Sequence, residues 1–239
     1  MRIELVGGLG IGKSTLCSAL ESIGFKCIYE NLSTNPFLAD CFREPDRFRF
    51  PSQMWFILSK FHEILKHAEA GQVNVLDQSV LNVRAYTNML FGKSDPAAMQ
   101  IINQCFQYME QQTGKPDLLI NLQCSPEQQM ARIRKRNRDH EKAVTLDYIE
   151  SLQVEIDALL ARARTEGQRV MTIDTEAVYL PGNMAYARNL AQEIATMFRS
   201  GADSYFPHSL QDYEVGYEEE LAALRAEYPP RRVRLASAG

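Results

Sequence analysis

"VGGLGIGKST", residues 6–15, decides the fold. Four glycines fall within six positions and lead straight into a lysine and two hydroxyls. The spacing Gly7-x-x-x-x-Gly12-Lys13-Ser14 is that of a phosphate-binding loop. A strand-like apolar run precedes it at 3–6, and a helical pattern follows from 13. A strand delivers the chain to the carboxyl edge of a parallel sheet. Glycines then let successive N–H groups turn inward, and the helix adds the positive end of its dipole. In this reading Gly7, Gly8, Gly10 and Gly12 shape the cradle, with Thr15 just inside the helix. Lys13 reaches the outer phosphates and Ser14 ligates a magnesium ion. A dinucleotide-binding loop is excluded by spacing: a GxGxxG started at Gly8 puts Lys13 where the last glycine belongs.

Strand-length apolar runs recur outward from the loop, at 26–30, 73–77, 117–122 and 169–174. Amphipathic stretches of helical length alternate with them, at about 13–23, 46–70, 79–91, 95–112, 125–138, 145–165 and 183–199. Strand alternating with helix predicts an α/β fold of the P-loop NTPase type, with a five-stranded parallel sheet flanked by helices. Residues 1–199 form this unit. From 201 to 239 the chain turns aromatic, then acidic, then basic. That stretch is expected to be an appendage, docked on the core or on a partner.

The net charge of −4 argues against a protein built mainly to coat nucleic acid and leaves room for a local basic site. The five cysteines are scattered without a CxxC pair, which excludes a disulfide framework and structural zinc. The four histidines include no helical metal pair; His62 and His67 are five apart. No stretch has the length of a membrane span, and Met1 leads directly into a strand rather than a leader. A cytoplasmic location without a membrane partner is expected.

A phosphate loop alone says nucleotide, not which reaction. Glu30 ends the second strand, one layer over from the loop, where a carboxylate can take the proton of an acceptor hydroxyl. Asp77 ends the third strand, where a carboxylate can hold magnesium. "RIRKRNRDHE", 132–141, sets Arg132, Arg134, Arg136 and Arg138 two apart at a helix end. That suits an Arg-rich lid over about 132–144, whose guanidinium forks neutralise phosphoryl charge.

In this order, "GGLGIGKST", Glu30, "NPFLADCFREPDRFRFPSQMWFILSK", "DQS" at 77–79, "PDLLINLQCSPEQQMARIRKRNRDHE" and "LDYIESL" at 146–152 resemble the deoxyribonucleoside kinase family. The resemblance covers about 1–199 and leans towards bacterial deoxyadenosine and deoxyguanosine kinases. It implies an ATP- and magnesium-dependent kinase acting on the 5′-hydroxyl of a deoxyribonucleoside, with a purine acceptor favoured. It implies Glu30 as base, with Lys13, Asp77, Arg132 and Arg136 in the catalytic machinery. Arg136 and Arg138 would also hold the nucleotide as lid arginines. It implies Gln53 at the nucleobase edge, Trp55 and Tyr86 stacking on the base, and Glu141 as the lid acid near the sugar. A homodimer through long helices is implied as well.

The chain departs from the family at several of these places. Gln78 stands where the family has an arginine, a loss of charge worth about 3 kcal/mol, or a hundredfold in rate. Phe42 stands where a tyrosine meets the sugar 3′-hydroxyl. Lys60 and Val83 fall near positions of a base-reading arginine and aspartate. Two alternatives follow. Arg43, Arg47 and Arg49 suit an acceptor phosphate, as in a thymidylate-kinase-like nucleoside monophosphate kinase. Otherwise the chain is a weakly active nucleotide-binding subunit that docks a partner through 201–239.

Overall fold

The computed structural model describes residues 1–68, 73–138, 141–178, 180–200 and 204–205. The sheet holds five parallel strands as expected: β1 (Arg2–Val6), β2 (Lys26–Ile28), β3 (Asn74–Leu76), β4 (Leu118–Gln123) and β5 (Val170–Asp174). A short sixth, β6 (Ser204–Tyr205), pairs in parallel with Met171 and Thr172 of β5. The order is β2-β3-β1-β4-β5-β6, so β1 lies inside the sheet and its carboxyl end opens onto the middle of one edge. Ser204 and Tyr205 of the expected appendage thus join the sheet, and 201–203 and 206–239 lie outside the described residues.

The helices are α1 (Lys13–Glu21), α2 (Leu38–Arg43), α3 (Pro45–Lys66), α4 (Val80–Phe91), α5 (Pro96–Thr113), α6 (Pro126–Arg136), α7 (Leu146–Thr165) and α8 (Met184–Ser200). The period of two along each strand assigns them to layers. Ile3, Leu5, Leu118, Ile120, Leu122, Met171 and Ile173 pack with Leu16, Leu20, Leu190 and Ile194 of α1 and α8. Val6, Leu119 and Val170 point the other way, onto Ala85 of α4 and Leu152, Ile156 and Leu160 of α7. Strands buried on both faces explain why the runs read as continuous apolar stretches. No helix among the described residues is long and apolar enough to cross a membrane.

Two polar contacts aim the β3–α4 turn. Glu4 is fully buried. Its Oε2 accepts the Val80 N–H at 2.8 Å, and its Oε1 pairs with Arg2 Nε at 2.9 Å. A carboxylate at a helix N-terminus satisfies one of the free N–H groups and suits the dipole. Ser79 caps the same helix by accepting the Asn82 N–H. Asp77 and Gln78 therefore leave the sheet in a fixed direction.

Candidate active site

The glycine loop is drawn over the carboxyl end of β1. Gly10 (φ +73°) and Gly12 (φ +107°) adopt backbone that side chains disfavour. A Cβ on Gly10 would lie 2.7 Å from the Gln129 carbonyl, so the loop sits directly on α6. Gly12 precedes α1, and its carbonyl accepts the Leu16 N–H. Lys13 Nζ donates to the Gly7 and Gly8 carbonyls, each at 2.8 Å. Burial lowers the Lys13 pKa, and Asp77 and Glu30 oppose that shift. Lys13, Asp77 and Glu30 are thus close enough to feel one another across three strand ends.

Ser14 Oγ donates to Asp77 Oδ2 at 2.8 Å. Asp77 Oδ1 is buried without a hydrogen-bond partner. A hydroxyl and a carboxylate with an orphaned oxygen are the hard donors that magnesium takes, so the two residues fit that ion. Among the described residues no group of three His, Cys, Asp or Glu could form a complete protein cage. Magnesium characteristically completes its shell with water and phosphate oxygens instead.

Glu30 lies two residues past Ile28, which pairs with Leu76 of β3. Burial raises its pKa above the ordinary carboxylate value; Lys60 and then Lys13 pull it back. Lys60 is nearly inaccessible, with Nζ 2.6 Å from Glu63 Oε2. Its burial is one feature that sequence reasoning missed, because a Lys-x-x-Glu pair on a helix reads as solvated. Tyr86 completes the group. Burial pushes its hydroxyl well above the usual range, with Tyr148, Glu30 and Glu141 contributing. Tyr148 is thereby a site neighbour that sequence reasoning left without a role.

The lid arginines hold two different places. Arg132 donates to the Ile11 carbonyl at 3.2 Å, to Thr175 Oγ1 at 2.9 Å and to the Thr175 carbonyl at 2.7 Å. It therefore ties the glycine loop to the end of β5. Arg136 forms a fork on Glu141, at 2.6 and 2.5 Å, and Arg138 reaches the same carboxylate at 3.9 Å. Glu141 is buried beneath them. Residues 139 and 140 of the expected lid lie outside the described residues. A cavity of about 710 Å³ opens between Gly10–Thr15, the three arginines and the stretch after β5, including Glu176, Val178 and Leu180. That last wall was not foreseen, because nothing in its composition marks it.

Other expected acceptor residues are less gathered. Gln53 is buried, and its Nε2 donates to the Val83 carbonyl at 3.0 Å and Thr87 Oγ1 at 2.8 Å, binding α3 to α4. It shares a face with Lys60, seven residues on. Trp55 lies two positions from Gln53, roughly 200° round the helix. It meets Phe56 edge-on, with ring centroids 5.4 Å apart. Phe42 is exposed on α2. Gln78 is buried beside α4, its Oε1 accepting from Asn82 Nδ2. Of the arginines suited to an acceptor phosphate, Arg43 and Arg47 pair with Asp40 and Glu44 on the surface, and Arg49 reaches the Leu90 carbonyl.

A model of the deoxynucleoside kinase family matches residues 3–199. A deoxyadenosine kinase of Dictyostelium discoideum is 30% identical over 153 residues, covering 63% of this chain and 62% of that protein. A deoxyguanosine kinase of Lactobacillus acidophilus is also 30% identical over 153 residues, covering 59% of this chain and 64% of its own. The matches thus span just under two thirds of these relatives' length. Among solved structures, deoxyadenosine kinase from M. mycoides with bound dCTP superposes with a TM-score of 0.68 over 81% of this chain and all of its own, at 17% identity. That likeness is one of fold.

Proposed function

The chain belongs to the deoxynucleoside kinase family, and on that premise we propose that it phosphorylates the 5′-hydroxyl of a deoxyribonucleoside with ATP and magnesium. The gathering of Glu30, Asp77 and the Lys13 ammonium just past the carboxyl ends of the neighbouring parallel strands β2, β3 and β1 carries the reading. The loop N–H groups and Lys13 grip the triphosphate. Ser14 and Asp77 hold magnesium, which would neutralise phosphate charge when bound. Glu30 takes the proton of the acceptor hydroxyl as its oxygen attacks. Arg132, Arg136 and Arg138 stabilise the equatorial oxygens of the group in transit. Positioning and electrostatics supply most of the rate, since phosphoryl transfer asks little covalent chemistry of a protein.

Relatives named for deoxyadenosine and deoxyguanosine support a purine acceptor. Gln53 and Tyr86 would face the base, and Glu141 would return to the sugar when Arg136 turns to phosphate. The activity resides in 1–199, with 201–239 as an appendage, in a cytoplasmic homodimer. The surface pairing of Arg43 and Arg47 disfavours a monophosphate acceptor. The test is a panel of deoxyribonucleosides and their monophosphates with ATP and magnesium, read as ADP release. Turnover with a deoxypurine nucleoside is expected. Turnover with a monophosphate alone, or with none of the panel, overturns the proposal.

A further inference from the structure

Asn82 has no part in the roles above, yet it joins two pieces of the site. Its side chain is fully buried. The Gly7 N–H donates to its Oδ1 at 3.1 Å, and its Nδ2 donates to the Gly7 carbonyl at 2.9 Å. A backbone N–H only donates and a carbonyl only accepts, so this two-point pairing leaves Asn82 a single orientation. The same Nδ2 donates to Gln78 Oε1 at 2.8 Å. Both Nδ2 hydrogens are then engaged. Turning the Gln78 amide over would set donor against donor, so its oxygen stays inward and its –NH₂ outward. Gln78 is buried, but its Nε2 is not among the fully enclosed atoms lacking a partner, so the outward –NH₂ keeps some access to solvent next to Asp77 in the chain.

We infer that Gln78 presents an N–H donor to an oxygen of the transferring phosphoryl group, and that Asn82 is the positioning residue that sets this polarity, copying it from the Gly7 peptide. This rests on the kinase reading. It accounts for an uncharged residue at that place: the adjacent Asp77 already acts on the Lys13 ammonium beside the glycine loop. A neutral amide adds a directed hydrogen bond without a further buried cation to desolvate.

The test compares Gln78→Leu, Gln78→Glu, Asn82→Asp and the Gln78→Leu/Asn82→Asp double variant. Gln78→Glu keeps the shape. Asn82 still holds one carboxylate oxygen, and the other meets the phosphoryl group as an acceptor. Its kcat is expected about tenfold below that of Gln78→Leu, with KM for ATP little changed. Equal or faster turnover by Gln78→Glu overturns the inference. Asn82→Asp turns the Gln78 amide over, so kcat falls about tenfold and Gln78→Leu adds nothing further in that background. Additive losses overturn it. The Gln78 side-chain amide signal in a ¹⁵N–¹H spectrum, assigned by its loss in Gln78→Leu, decides without turnover. It should exchange freely with water in the native chain and become protected in Asn82→Asp. A protected signal in the native chain overturns the inference even if the two Asn82 variants fail to fold. Absence of kinase activity with a freely exchanging signal overturns the kinase reading alone.

Discussion

Glu30 is governed by opposed influences that separate experimentally. Burial raises its pKa, and Lys60 is the leading charge that lowers it. If Glu30 is the base it must be deprotonated, so kcat/KM should fall as pH drops through its pKa, a fall that begins above the ordinary value of 4.5. Lys60→Met removes a lowering influence and moves the acid limb to higher pH. An unmoved limb would make Lys60 simply the partner of Glu63. Glu30→Gln should reduce kcat by at least a hundredfold while ATP affinity, measured by calorimetry, changes less than about twofold. Retained turnover would remove Glu30 from the base role. Glu30 and Asp77 were legible because each ends an apolar run at the sheet edge that carries the glycine loop. Lys60 and Asn82 were not. A lysine and an asparagine on helices carry no sign of burial until α3 and α4 close around them.

At the scale of elements, periodicity located every long helix to within a few residues. The exceptions are short: α2 and the 3₁₀ turn Leu32–Thr34 have too few residues to show a period, and β6 has two. The glycine loop was legible as a string, but its seat on α6 was not, because Gln129 is far away in sequence. That seat yields a paired prediction. Gly10 (φ +73°) and Gly182 (φ +67°) have similar backbone, so alanine at either costs about 1 kcal/mol in conformation. Nothing lies within 4 Å of a Cβ on Gly182, whereas one on Gly10 meets the Gln129 carbonyl. Gly182→Ala should lose only the backbone term in urea unfolding and keep ATP affinity. Gly10→Ala should lose more stability and at least tenfold in ATP affinity. Equal effects would mean that the loop lifts from α6 at little cost.

At the scale of the molecule, the site is a joint between layers rather than a pocket within one. Arg132 ties the glycine loop to the end of β5, Ser14 ties α1 to the end of β3, and Gln53 ties α3 to α4. A triphosphate with magnesium would bridge the first two of these contacts, so binding should stabilise the whole fold. At a hundred times its dissociation constant, a ligand of the native state adds about 2.7 kcal/mol, roughly 5–10 °C in melting temperature for a chain of this size. That shift should appear with ATP and magnesium and shrink when the metal is chelated. Asp77→Asn tests the metal's part in it. The substitution keeps an oxygen for Ser14 but removes the carboxylate charge, so the melting temperature with ATP should become nearly insensitive to magnesium. A shift that still depends on magnesium in Asp77→Asn would move the ion off Asp77 and leave the orphaned Oδ1 without a purpose. A full shift with ATP alone in the native chain would mean that Lys13 and the arginines hold the triphosphate unaided.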